Sequence, residues 1–115
     1  MMRFEFPESD WKVFRALREI TLERFCKRVL DEMDCLRNDD SRTNHERYLD
    51  IWQLMAERDN ELAIAFNDPK RSQMLGQLIA MHTHGLLDQS DFDRFSEKTR
   101  EKVEQVVSAS EGLER

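Results

Sequence analysis

The sequence predicts an all-α fold, a small antiparallel helical bundle of about four helices with a long first helix and a C-terminal helical hairpin. Three observations carry that expectation. Gly numbers 3 and Pro 2 in 115 residues, so the chain is poor in turn-formers. Apolar residues recur at steps of three and four, the period of a helix with one buried face. Capping signals stand at the ends of the apolar-periodic segments.

The first segment has apolar residues at 11, 14, 17, 22, 25, 29, 33 and 36. Pro7 suits a first helical position and Ser9 is the alternative cap. One unbroken helix to Leu36 spans about 40 Å at about 1.5 Å per residue, and a kink near Thr21 is the alternative. Arg37-Asn38-Asp39-Asp40-Ser41-Arg42 lacks any apolar residue and reads as a loop.

Thr43 and Glu46 have capping-box spacing and open the second helix. Its seam runs Tyr48, Ile51, Trp52, Met55, then Leu62, Ala65 and Phe66. Asp68 is placed as the cap of a third helix with Pro69 in its first turn, carrying Met74, Leu75, Leu78, Ile79 and Met81 and ending at Gly85.

Leu87, Asp88, Asp91 and Phe92 combine a cap, first-turn negative charge and the two positions of a hydrophobic staple. A short helix over 89–95 follows, and Ser96 caps a last one from 97 to about 108 whose apolar contacts are Val103, Val106 and Val107. The reading is a single helical domain over 1–115, with irregular tails at 1–7 and 109–115.

The net charge of -6 argues against nucleic acid as a partner. Basic and acidic residues alternate, as in Arg15, Arg18, Glu19, Glu23, Arg24, Lys27 and Arg28, which reads as a solvated helix surface with pairs at i and i+4. No window is long and apolar enough for a membrane span, and the first seven residues lack a signal-peptide core. Cys26 and Cys35 lie on one helix, about 13 Å apart at about 1.5 Å per residue, and read as reduced, mostly buried thiols. A cytoplasmic location follows as the expectation.

For chemistry, the seam of the second helix has a gap: between Met55 and Leu62 the next positions fall at Arg58 and Asp59. In an antiparallel hairpin these residues come level with Thr21 and, from the third helix, Gln77. Thr21, Arg58, Asp59 and Gln77 therefore form a candidate polar layer, serving as a ligand site or as a paired ion bridge that fixes register.

Metal sites are not indicated, because no Glu stands three residues before a His, and His82 and His84 point about 200° apart around a helix. Glu57 and Glu61 share a face but lack both halves of the motif of helical nucleotide pyrophosphatases. No Gly-rich phosphate loop and no activated nucleophile is present. No catalytic residue, cofactor or metal ligand is assigned.

Trp11, Phe14, Phe25, Trp52, Phe66, Met55, Met74 and Met81 fall at helical spacing and read as core. The expected function is a protein-interaction module, regulatory, adaptor or inhibitory, that works through helix faces and self-associates as a homodimer. Trp11 and Phe14 are the candidate interface. The motivation is a first helix longer than the third, which leaves apolar residues uncovered. The competing reading is a small-molecule or metal-dependent enzyme or sensor built on Arg58 and Asp59.

Overall fold

In the computed structural model, which describes residues 5–113, the first helix α1 runs unbroken from Glu8 to Arg37. Pro7 is its N-cap and makes no side-chain cap bond, since the Asp10 N–H bonds the Pro7 carbonyl instead. Asp10, Phe14, Leu17, Thr21, Phe25 and Val29 form its buried stripe, and no residue beyond Val29 is buried. The Thr21 hydroxyl donates back to the Leu17 carbonyl at 2.9 Å, so this polar side chain sits in the core without interrupting the helix.

Helix α2, Asn44–Phe66, begins with the capping box expected at Thr43 and Glu46 and returns antiparallel to α1. The Asp39 carboxylate accepts from the N–H and hydroxyl of Ser41, which shapes the turn between them. Leu54, Ala65 and Phe66 are the buried residues of α2.

The third helix departs from expectation. Asp68 is not its cap: it lies at φ 51 in the left-handed region, just after the α2 C-cap Asn67. Asp tolerates that conformation, and an Asp-Pro step ends one helix as readily as it starts another. A single 3-10 turn, Arg71–Gln73, then leads into α3, Met74–Thr83.

Gly85 at φ 68 closes α3 as expected. Its N–H bonds the His82 carbonyl at 3.0 Å, while the Leu86 N–H reaches back to Met81 at 2.9 Å, the paired bonds of a Schellman motif.

Asp88 caps the one-turn helix α4, Gln89–Phe92, with Asp91 completing a capping box. Helix α5 runs Glu97–Leu113, past the expected end near 108. An established helix continues through residues such as the exposed Ser108, Ala109 and Ser110, because only its nucleation is costly. The expected irregular tail therefore fails over 109–113, residues 5–7 are non-helical, and the rest of both tails lies outside the described residues.

The core joins Phe14, Leu17, Phe25, Phe66, Met74, Leu78, Met81, Phe92, Phe95 and Val103. Helix dominates the described residues and no strand occurs among them, which fixes the all-α class. The 10-residue α3 packs against a 30-residue α1, so the far ends of α1 and α2 extend as a two-helix hairpin beyond the core.

Candidate functional site

The four residues of the expected polar layer are not brought together. Thr21 is buried beside the Met81 sulfur, at 3.7 Å. Gln77 is buried and donates its amide to the Asn67 carbonyl at 2.6 Å, satisfying the end of α2. Arg58 clasps Glu32 of α1 at 3.1 and 3.0 Å and reaches Glu61 at 2.8 Å, which raises its already high pKa, chiefly through the Glu32 hydrogen bond. Asp59 is exposed.

Two facts explain the separation. Arg58 pairs with Glu32, so α2 lies further along α1 than level pairing with Thr21 requires. A guanidinium on a long stem also leaves the seam for a carboxylate at the surface more cheaply than it enters the core. Of the two sequence readings, Arg58 adopts the paired ion bridge between helices.

A carboxylate that does enter the core is Asp10, 1% exposed. Its oxygens accept from the Ser96 N–H at 2.8 Å, the Ser96 hydroxyl at 2.6 Å and the Thr99 hydroxyl at 2.6 Å. This ties the first turn of α1 to the positive N-terminus of α5. Sequence reasoning missed it, although Asp10 precedes Phe14 by four residues and so lies on the buried stripe.

The arginines of α1 also differ from a merely solvated face. Arg18 donates to the Phe66 carbonyl at 2.5 Å, Arg24 to Leu86 at 2.8 Å, and Arg28 to His84 and Gly85 at 2.6 and 2.7 Å. They satisfy carbonyls at the ends of α2 and α3. Lys27 and Asp31 do form the i to i+4 pair, at 2.8 Å.

At the candidate interface, Phe14 is 0% exposed within the core. Trp11 stacks on it with centroids 5.7 Å apart, and Arg71, paired with Glu8, lies 5.6 Å over the indole ring. Phe14 is thus covered from within the chain, while Trp11, half-buried, lines an open groove of about 610 Å³ with Glu8 and Arg71.

The exposed aromatic surface lies elsewhere, on the projecting hairpin. Tyr48 and Trp52 are each 67% exposed, Leu30 52%, Leu49 49% and Met55 44%. Trp52 and Met55 are therefore not core, contrary to their spacing. At about 100° per residue, Tyr48, Trp52, Met55 and Asp59 fall within about 60° of one line along α2.

That line continues inward to Leu62 and Phe66, where the core covers it; outward, α3 has ended. Arg47, Asp50, Glu57 and Glu61 lie on other sides of α2, so Asp59 is the carboxylate that α2 contributes to this face. Cys26, half-buried, and Leu30 of α1 meet Met55 and Leu62 across a groove of about 200 Å³, which Arg58 and Asp59 also line. Cys35 is exposed, and both thiols are free.

Among the described residues, no three of His, Cys, Asp and Glu converge as metal ligands. No described helix is long and apolar enough to cross a membrane. No known protein family, curated protein or solved structure matches this chain.

Proposed function

We propose that the chain is a protein-recognition module and that its recognition surface is the outer face of the α1/α2 hairpin. One observation carries the reading: in a chain with 37% charged residues, Tyr48, Leu49, Trp52 and Met55 stand exposed on a side of α2 whose one carboxylate is Asp59. Charge depletion with enrichment in Tyr, Trp and Met marks the core of a protein interface. The five exposed side chains, Leu30 included, present roughly 400 to 500 Å² of apolar surface, within the range of patches that serve association.

The groove beside Asp59 supports this reading over a small-molecule enzyme or sensor. At about 200 Å³ it is smaller than a ligand cavity and holds few polar groups to orient a substrate. Its size suits one inserted apolar side chain of a partner.

Capture experiments with tagged chain and with a Trp52→Lys variant test the proposal, scoring both untagged copies of the chain and other proteins. The variant is expected to lose what the parent chain holds. Identical capture by both would refute the assignment of the face.

A further inference from the structure

We infer that the occupant of this face is a second copy of the chain, docked with the two α2 helices antiparallel about a two-fold axis through Trp52. The inference rests on the recognition surface proposed above and adds the partner and its register.

The argument starts from the ionisable groups left over. On α2, Glu46 is bonded within its capping box and paired with Arg42, Arg47 donates to the Arg37 carbonyl, and Asp50 is paired with Arg42. Arg58 binds Glu32 and Glu61, and Glu57 accepts from Gln53. His45 and Asp59 are both exposed and have no ion pair or side-chain hydrogen bond among the described residues. They are of opposite chemical type, a cation-capable imidazole and a carboxylate.

Their placement is symmetric. His45 lies seven residues before Trp52 and Asp59 seven after it, about 10 Å to either side at about 1.5 Å per residue. By rotation of about 100° per residue, both lie on the Trp52 side of α2. An antiparallel copy centred on Trp52 therefore sets each Asp59 opposite the partner's His45. In the same register Tyr48 meets the partner's Ala56 and Leu49 meets the partner's Met55, so large residues face smaller or flexible ones.

Area and architecture agree with that docking. A standard interface buries about 800 Å² per partner, and the exposed apolar side chains supply roughly half, leaving the groove walls and a polar rim for the remainder. Two helical hairpins facing each other complete a four-helix bundle, the arrangement that α3 is too short to build beside this end of α1. A two-fold contact needs one patch complementary to itself, and this face meets that condition.

The test is light scattering of the purified chain over a dilution series to high micromolar concentration, with variants at both ends of the symmetric pair. The parent chain is expected to reach twice its 13.8 kDa mass. Asp59→Lys is expected to weaken dimerisation about tenfold or more, and adding His45→Glu to restore most of that loss by reversing the pair.

Both positions are exposed, so the helical fold should persist, as far-ultraviolet circular dichroism checks. Asp59→Asn, nearly isosteric, gives a second reading without charge reversal and should weaken the dimer less. A parent chain that stays monomeric overturns the inference. If such a monomer still loses a captured protein on Trp52→Lys, the recognition surface stands and its partner is a different chain. A dimer that the Asp59 variants leave unchanged, or that the double variant fails to recover, overturns the antiparallel register.

Discussion

Asp10 and Thr99, 89 residues apart in sequence, share a 2.6 Å hydrogen bond inside the core. With the Ser96 N–H and hydroxyl on the same carboxylate, this contact fastens the start of α1 to the start of α5. The first and last helices therefore meet through a buried polar contact. Removing the acceptor leaves three donors to find new partners in a space that water does not readily reach.

Asp10→Ala should therefore cost about 2 to 4 kcal/mol of stability, since each buried donor left unmade costs about 1 to 3 kcal/mol and Ser96 and Thr99 recover part by bonding each other. Asp10→Asn should cost less, because one oxygen remains as an acceptor. Urea denaturation followed by circular dichroism decides between these outcomes and an unchanged midpoint, which would show that the contact is not important for stability.

Gly85→Ala should destabilise by about 1 to 2 kcal/mol, the cost of holding an L-residue in the left-handed conformation. The side-chain space itself is open, since an added Cβ would meet only the Arg28 guanidinium at 3.8 Å and beyond. The penalty is thus conformational, and Gly85→Asn should recover part of it. Thermal melts of the two variants make the comparison.

Local signals were legible in the sequence where a few neighbouring residues decide the geometry. The capping boxes at Thr43 and Asp88 and the left-handed Gly85 depend on bonds within about one turn, so their residues announce them. The signal at Asp68-Pro69 was ambiguous, because the same pair ends one helix or begins another. The site was less legible for a different reason. Periodicity marks Trp52 and Met55 as one seam with Phe66, but whether a helix lies over them depends on the length of α3, and a polar residue such as Asp10 on a buried stripe shows no partner until α5 is in place.

Acid should weaken the fold through carboxylates that cap and close turns. The Ser90 hydroxyl and then the Asp91 N–H lower the Asp88 pKa, and the Thr43 N–H, with Arg42 adding attraction, lowers that of Glu46. A carboxylate with a folded pKa below its unfolded value stabilises fully above the unfolded value, near 4, and that contribution disappears as pH falls through the lower folded one. The melting temperature should thus hold from neutrality to about pH 5 and drop below about pH 4. Carbon-detected titration of Asp88 and Glu46 should place their midpoints below those of unstructured carboxylates.

Asp59→Ala should change the stability of the monomer by no more than about half a kcal/mol, because the side chain is exposed and bonded to nothing within the described chain. A buried, paired aspartate would instead lose about 3 to 5 kcal/mol. Urea midpoints at a concentration too low for association separate the two. A large loss would restore the polar layer around Arg58 and Asp59 that the geometry does not assemble.

Arg24 bears on stability more than its surface position suggests. It donates to the Leu86 carbonyl at 2.8 Å and to Asp91 at 2.6 Å, and Asp91 is 13% exposed, so one guanidinium holds the turn after α3 and the start of α4 against α1. Arg24→Ala removes both bonds and leaves Asp91, whose Oδ2 also accepts from the Asp88 N–H, without its cation. A charge-assisted bond contributes about 1.5 to 3 kcal/mol when shielded, and the one-third exposure of Arg24 lowers that, so a loss of about 1 to 2 kcal/mol is expected. Arg24→Lys should recover only part of it, because Nη1 makes both bonds while Nη2 stands 3.6 Å from Asp88, and a lysine ammonium on a shorter stem offers no second nitrogen. Denaturant midpoints for the two variants check the order, and a lysine variant equal to the parent would show that charge alone, rather than the reach and second nitrogen of the guanidinium, holds this turn.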